Sequence, residues 1–229
     1  FSDPNFVASA VVLRNVSRGF QRAIDSIHVL NLVSDGTLVY ANGRVTCVDA
    51  YHVCHDQVPP HALSVHLHGG TVLPGLTSYG STLGLSDVPS ESSASNGQDP
   101  SLLTRHLYLD TKRLVPRAED GLIFGGHALR RAHASGVTTA VNVPATIGMF
   151  GGVSTHFDTG ARTVLDAHSV RTSEVALHVR LAYPIDDHEP SLATQLALLR
   201  SLLRNPPPGS VEWHRVSRGE WPLVVQTTA

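Results

Sequence analysis

The sequence has no long apolar run, no basic cluster and only two cysteines. A bilayer span needs roughly 20 consecutive apolar residues, and no stretch approaches that length, so we expect no membrane span. The formal net charge is −2 with histidine neutral. Without a basic patch to neutralise phosphates, nucleic acid is not an expected partner. No Gly-x-Ser-x-Gly elbow, P-loop or dinucleotide fingerprint occurs either.

The two cysteines, Cys47 and Cys54, are close together and follow an Asn42-Gly43 hairpin signal. This spacing favours a small disulfide in an oxidising compartment, with two free buried thiols as the alternative. The only N-glycosylation sequon begins at Asn15 and supports the same compartment. The chain starts without Met or an apolar signal core, as a processed chain does. We therefore expect a secreted or lumenal protein, glycosylated at Asn15.

The first third of the chain has the pattern of β-structure, and the remainder alternates between strands and helices. With 229 residues and 41% hydrophobic residues, it can form one large domain or one and a half smaller ones. After Pro74 and a polar loop, helical patterns span 119–135 and 191–205, the first stopping at Gly136. Strands are predicted between and after these helices, at 137–144, 173–183 and 221–226. Such alternation is typical of βα units around a parallel sheet.

Four segments resemble the amidohydrolase superfamily: DGTLVYANGRVTCV, HGGTVLPGLTSYGSTLGL, GGHALRRAHASGVTTAVNVP and WPLVVQ. The chain resembles most the fungal amidohydrolase-related proteins that share features with imidazolonepropionase-like enzymes, from about Val11 to Gln226. The resemblance implies a (β/α)8 barrel with a composite β-sandwich. The expected fold class is therefore α/β, with a β-sandwich segment at 1–73 and the first half of a TIM-like barrel at 74–229. It also implies hydrolysis of non-peptide C–N bonds with metal-activated water.

The segment after Pro74 has about half of the eight strands that a closed barrel needs. A half-barrel leaves two open edges and an exposed apolar sheet face. We therefore expect a second polypeptide to complete the barrel. It would be the C-terminal part of the same precursor or another subunit.

The positions that the resemblance assigns to metal ligands are altered in this sequence. A His-x-His pair after the Pro-Gly turn falls on Gly80 and Thr82, a carboxylatable lysine falls near Asp158, and a further histidine falls on Gln226. Glycine has no side chain, and a neutral hydroxyl is a poor zinc ligand. We expect no metal and no other cofactor, which leaves enzymatic activity uncertain. The alternative is a non-catalytic secreted protein that uses the barrel scaffold for binding or structure.

His66 and His68 form a second pattern that could bind zinc, ahead of the Pro-Gly turn. On a strand, residues two apart share one face, and imidazoles are zinc ligands. No third ligand is evident nearby and the chain has 14 histidines, so an exposed strand face is the favoured interpretation.

Three further groups are candidates for a polar site. His156 and Asp158 lie in a glycine-flanked segment that could bind a ligand or be a locally hydrogen-bonded loop. Glu174 and His178 would share one face of a strand, as part of a site or as a structural pair. The acidic run at 186–189 could hold a hard cation, although a solvated loop is favoured.

Overall fold

The structure is a computed structural model, and it divides the chain into two compact units, Phe1–Pro74 and Gly75–Ala229. The acidic run at 186–189 lies outside the described residues. Within those residues, no helix combines the length and apolarity that crossing a bilayer requires. The structure describes residues 10–22, 27–88, 91–97, 115–145, 149–184 and 190–227.

The first unit is built on one four-stranded sheet with the order β3-β2-β1-β4. β1 pairs antiparallel with β2 and parallel with β4, and β2 pairs antiparallel with β3. Small and β-branched side chains such as Val12, Val16 and Val39 are buried on it, as β-branched residues in strands commonly are. The elements are β1 Ala10–Arg22, β2 Ile27–Ala41, β3 Arg44–Ala50, α1 Tyr51–Cys54 and β4 Leu63–Val72.

The predicted hairpin and disulfide are both confirmed. Asn42 and Gly43 take positive φ angles of 51° and 78° between β2 and β3, as a two-residue turn with left-handed backbone requires. The chain then returns through α1, and Cys54 bonds to Cys47 with a Cα–Cα distance of 5.7 Å. Both cysteines pack in a buried cluster with Val12 and Val39.

The second unit is a mixed α/β structure with two sheets, ordered β5-β6-β8-β9 and β11-β10-β7. The β5–β6 and β10–β11 pairs are parallel, and the other pairs are antiparallel. The strands are β5 Leu76–Tyr79, β6 Val137–Asn142, β7 Phe150–Val153, β8 Thr155–Asp158, β9 Val170–Thr172, β10 Leu177–Leu181 and β11 Leu223–Thr227. The helices are α2 His127–Ala134, α3 Leu192–Arg204 and α4 Val211–Ser217.

The expected α/β class is therefore confirmed, but the simple alternation of strands and helices is wrong between β6 and β10. Three antiparallel strands, β7, β8 and β9, occupy that interval. The segment with His156 and Asp158 is strand β8, paired antiparallel with β6, and not a loop. The glycines that flank β8 weaken the strand pattern in the sequence.

The helices α3 and α4 supply one side of the largest core cluster, and β10 and β7 supply the other. Leu199 of α3 is buried there, and three more leucines of this helix, which was predicted at 191–205, pack against the cluster (Leu192, Leu196 and Leu203). Trp213 of α4 is buried in the same cluster. Because α4 is short and polar in sequence, its periodicity was too weak to predict it.

The ends of α2 are fixed by a carboxylate and a glycine. The carboxylate of Asp87 accepts hydrogen bonds from the backbone N–H of His127 at 3.0 Å and of Ala128 at 2.6 Å. These backbone bonds hold the pKa of Asp87 below its ordinary value, since they favour the charged form. Gly136, with φ of 91°, follows the helix and confirms the predicted stop.

We predict that the variant Cys47→Ser/Cys54→Ser unfolds at lower urea concentration than the native chain. A disulfide of this short loop restricts the unfolded chain, which corresponds to roughly 2–3 kcal/mol. Urea denaturation followed by circular dichroism measures the difference. A reductant should lower the urea midpoint of the native chain to that of the variant, and it should leave the midpoint of the variant unchanged. An unchanged native midpoint under reductant would contradict the stabilising role.

Candidate active site

The exit of β5 is the position where the resemblance places its first metal ligand. The strand ends at Tyr79, and Gly80 follows with a left-handed φ of 70°. The Gly80 N–H donates to the carbonyl oxygen of Val141 on β6 at 3.0 Å. Residues that carry a side chain rarely adopt such a φ. The backbone at Gly80, as well as its missing side chain, therefore differs from what a histidine on a strand needs.

The polar groups next to Gly80 are hydrogen-bonded to one another. Ser78 Oγ donates to Ser81 Oγ at 2.9 Å, and Ser81 Oγ donates to Asn142 Oδ1 at 3.3 Å. The Asn142 side-chain amide in turn donates to the carbonyl oxygen of Leu83. Asn142 is 0% exposed at the end of β6, where an unsatisfied amide would be costly. These groups therefore serve the turn itself.

Of the other three altered positions, Thr82 is exposed in the same turn, where its backbone carbonyl accepts from the N–H groups of Leu85 and Ser86. Asp158 and Gln226 lie on different sheets. Asp158, on β8, accepts from the Gly160 N–H at 2.8 Å and from Arg171 Nη2 at 2.9 Å. Gln226 lies on β11, opposite Arg180 in the parallel register with β10. Among the residues that the structure describes, no three His, Cys, Asp or Glu side chains form a group able to hold a metal ion.

Glu174 does not share a strand face with His178, so that prediction is wrong. β10 begins only at Leu177. The Glu174 carboxylate instead accepts from the guanidinium of Arg117 and, at 2.8 Å, from Arg215 Nη1. Burial raises the pKa of Glu174, but the hydrogen bonds from both arginines outweigh it and leave the pKa below its ordinary value.

His178 is a buried histidine on β10. Its neighbours Leu177 and Val179 belong to the core cluster with the helices, so strand alternation directs His178 to the opposite face. There its ring stacks on Tyr79 of β5, with centroids 6.1 Å apart and planes at 27°. His178 is 7% exposed, and no described residue is a hydrogen-bond partner for its Nε2.

The absence of a side chain at Gly151 of β7 makes room for residue His178. Gly152 lies opposite His178 in the antiparallel pairing, and a Cβ on Gly151 would lie only 3.0 Å from the His178 Cβ. Burial lowers the pKa of His178 to about 4, because a low-dielectric surrounding disfavours the charged ring. At neutral pH His178 is therefore an uncharged hydrogen-bonding group.

The remaining sequence candidates are distributed over the two units. His156 is half-buried on β8, opposite Val141. His66 and His68 are both exposed on β4, and Asn15 is half-buried on β1. Glycosylation of Asn15 stays a prediction.

Comparisons with known proteins identify relatives of one kind. No family model matches the chain. Amidohydrolase tasK of Hapsidospora irregularis is 32% identical over 177 residues, which is 72% of this chain and 16% of that protein. The chain is related to the amidohydrolase superfamily. It thus spans about a sixth of the curated relative that it matches.

A solved structure supports the fold of this chain. The amidohydrolase from Thermotoga maritima MSB8 superposes with a TM-score of 0.54 over 91% of this chain and 46% of that one. The sequence identity is 20%, so this likeness concerns the fold alone.

The structure brings one candidate of this chain, His178, into contact with a residue that the sequence did not indicate, and it separates His178 from the candidate Glu174. Tyr79 and His178 are in contact, whereas Glu174 precedes the N-terminal end of β10. In parallel sheets, ligands bind beyond the C-terminal ends of the strands. Tyr79, Ser81 and Asn142 were missed by sequence reasoning. Only their nearness to the Pro-Gly turn could have indicated the first two.

We predict that Glu174→Gln lowers the free energy of unfolding by about 1 kcal/mol. Arg215 loses its carboxylate partner, and Arg117 is left with the more distant carboxylate of Glu212, at 3.4 Å. Glu220→Gln is the matched control, because Glu220 pairs with Arg218 on the exposed surface at 2.9 Å. The control should change stability by less than about 0.5 kcal/mol. Urea denaturation measures both, and equal effects would contradict a structural role for Glu174.

We also predict that His178 makes stability depend on pH. The folded pKa of about 4 lies below the ordinary 6.5, so the unfolded chain binds the proton first. Stability is then complete above pH 6.5 and falls between pH 6.5 and 4, by up to about 3 kcal/mol.

Unfolding free energies of the native chain and of His178→Gln between pH 4 and 7.5 measure this slope. His178→Gln should flatten the curve. His214→Gln, at an exposed position of α4, is the control and should leave the slope unchanged. A native slope that persists in His178→Gln would assign the effect to other groups.

Proposed function

We propose that the chain is the N-terminal part of an amidohydrolase-type hydrolase that acts on non-peptide C–N bonds and has a degenerate metal site. The hydrolase class is supported by the 32% identical amidohydrolase and by the fold of the Thermotoga maritima amidohydrolase. The bond type comes from the sequence resemblance described above.

The conformation of Gly80 carries the proposal of a degenerate metal site. The residue at the first ligand position has φ of 70° and donates its N–H to Val141. The next polar side chain, Ser81, is bonded to Ser78 and Asn142. Zinc requires imidazole, thiolate or carboxylate donors converging on one point, and the described residues at this position do not fit that need.

A completing polypeptide remains part of the proposal. β11 pairs with β10 on one side, and among the described residues it is the outer strand of its sheet. Val225 on β11 is 43% exposed. An uncovered edge with apolar side chains invites pairing with another strand, which supports a C-terminal continuation of the barrel or another subunit.

A secreted or lumenal location also remains a proposal. It is supported by the Cys47–Cys54 disulfide, since such bonds persist in oxidising compartments.

Metal content tests the degenerate site. We expect less than about 0.1 zinc per untagged chain after dialysis against metal-free buffer, measured by elemental analysis. The variant His66→Ala/His68→Ala is the control for zinc held by exposed imidazoles. About one zinc per chain in both proteins would overturn the degenerate site.

The hydrolase class is tested by a separate activity assay. The assay uses the chain purified from its natural source together with any polypeptide that co-purifies with it. 4-Nitroacetanilide and cyclic amides serve as C–N probes. We expect product release that a chelator does not reduce. Release that a chelator abolishes and zinc restores would overturn the degenerate site, and no release from any probe would overturn the hydrolase class.

A further inference from the structure

His66 and His68 stand on the exposed face of β4, in the first unit. β4 is an outer strand of its sheet within the part of the chain that the structure describes. Both side chains are exposed, while Val65 and Leu67 between and beside them are half-buried. The two imidazole centroids are 4.2 Å apart, with planes inclined at 57°.

A bulge in β4 places the two rings this close. On a regular strand, residues two apart are separated by about 6.6 Å. Here the register passes from Arg14↔His66 to Val16↔Gly70, so β4 carries extra residues at this point. His68 takes a left-handed φ of 51° within the bulge. Left-handed backbone is uncommon for residues other than glycine, although histidine adopts it more often than most, and bulges commonly redirect a side chain.

We propose that His66 and His68 form a two-imidazole site for a divalent transition-metal ion on the surface of the first unit. Imidazole nitrogens bind such ions at about 2.0–2.1 Å, so two nitrogens on one ion lie at most about 4.2 Å apart. The imidazole centroids are 4.2 Å apart, so rotation of the two exposed side chains can bring one nitrogen of each ring within that limit. Exposure leaves the remaining coordination positions to water.

The order of affinity follows from the donors. Two nitrogen ligands and water favour Cu²⁺ over Ni²⁺ and Zn²⁺ in the general order for divalent ions. Neutral imidazole also suits these ions better than Mg²⁺ or Ca²⁺, which prefer oxygen. The site therefore takes Cu²⁺ most strongly and excludes the hard cations.

One hydrogen bond must be released when the ion binds. The backbone N–H of His68 donates to His66 Nδ1 at 3.2 Å, so the neutral ring of His66 carries its proton on Nε2. The torsion that turns an imidazole is broad and roughly two-fold. The exposed ring of His66 can therefore turn to present either nitrogen, while the ring of His68 stays beside it.

Titration of the untagged chain with CuCl₂, followed by isothermal calorimetry, tests the site. We expect one dominant Cu²⁺ site in the native chain. His66→Ala and His68→Ala should each weaken it by about tenfold or more, because one ligand is lost. His61→Ala is the matched control, since His61 is exposed shortly before β4, and it should leave the affinity unchanged. NiCl₂ and ZnCl₂ should bind more weakly at the same site.

Electron paramagnetic resonance of the Cu²⁺ complex supplies a second readout. Coupling to two imidazole nitrogens is expected in the native chain, and to fewer in either single variant. The proposal would be overturned if the double variant His66→Ala/His68→Ala bound Cu²⁺ with the native affinity. It would also be overturned if His61→Ala weakened Cu²⁺ binding as much as the His66 and His68 variants do. Circular dichroism checks that each variant is folded. The site lies outside the second unit, so its failure leaves the proposed hydrolase function untouched.

Discussion

Parallel pairing between β5 and β6 fixes the position of the polar groups at the candidate active site. The hydrogen bond from Gly80 to Val141 extends this pairing one residue beyond β5. The turn that follows then brings Ser81 to Asn142 at the end of β6. Because each group in the turn takes its partner from this arrangement, the exit of β5 is a stable structural corner and its donors are already in use.

A network of charged side chains is a second polar arrangement in the second unit. Glu174 joins Arg117, which precedes α2, to Arg215 on α4. The Arg215 guanidinium also lies 3.9 Å from the ring centre of Trp221, a favourable cation–π contact. One carboxylate thus links a segment that precedes β10 in the sequence to a helix that follows it. This assigns Glu174 to the framework and leaves His178, neutral and stacked on Tyr79, as the unusual polar group inside.

Features decided by neighbouring residues could be predicted from the sequence. Asn42-Gly43 encodes its own turn, and Cys47 and Cys54 are close enough to find each other. The leucines of α3 gave a clear helical period. What failed depends on distant partners: Glu174 pairs with residues 57 and 41 positions away. The local pattern around Glu174 indicated a strand because nothing nearby reveals those arginines.

The left-handed backbone at Gly80 has a consequence for how this site could change. A metal-binding side chain can normally be introduced by one substitution. Here a histidine at position 80 would meet an unfavourable backbone, and straightening that backbone would disturb the bonds from Gly80 to Val141 and from Ser81 to Asn142. Metal-binding histidines at positions 80 and 82 would therefore need a rebuilt turn. The turn at Gly80 therefore makes a metal ligand costlier to introduce at this position than at a position with ordinary strand backbone.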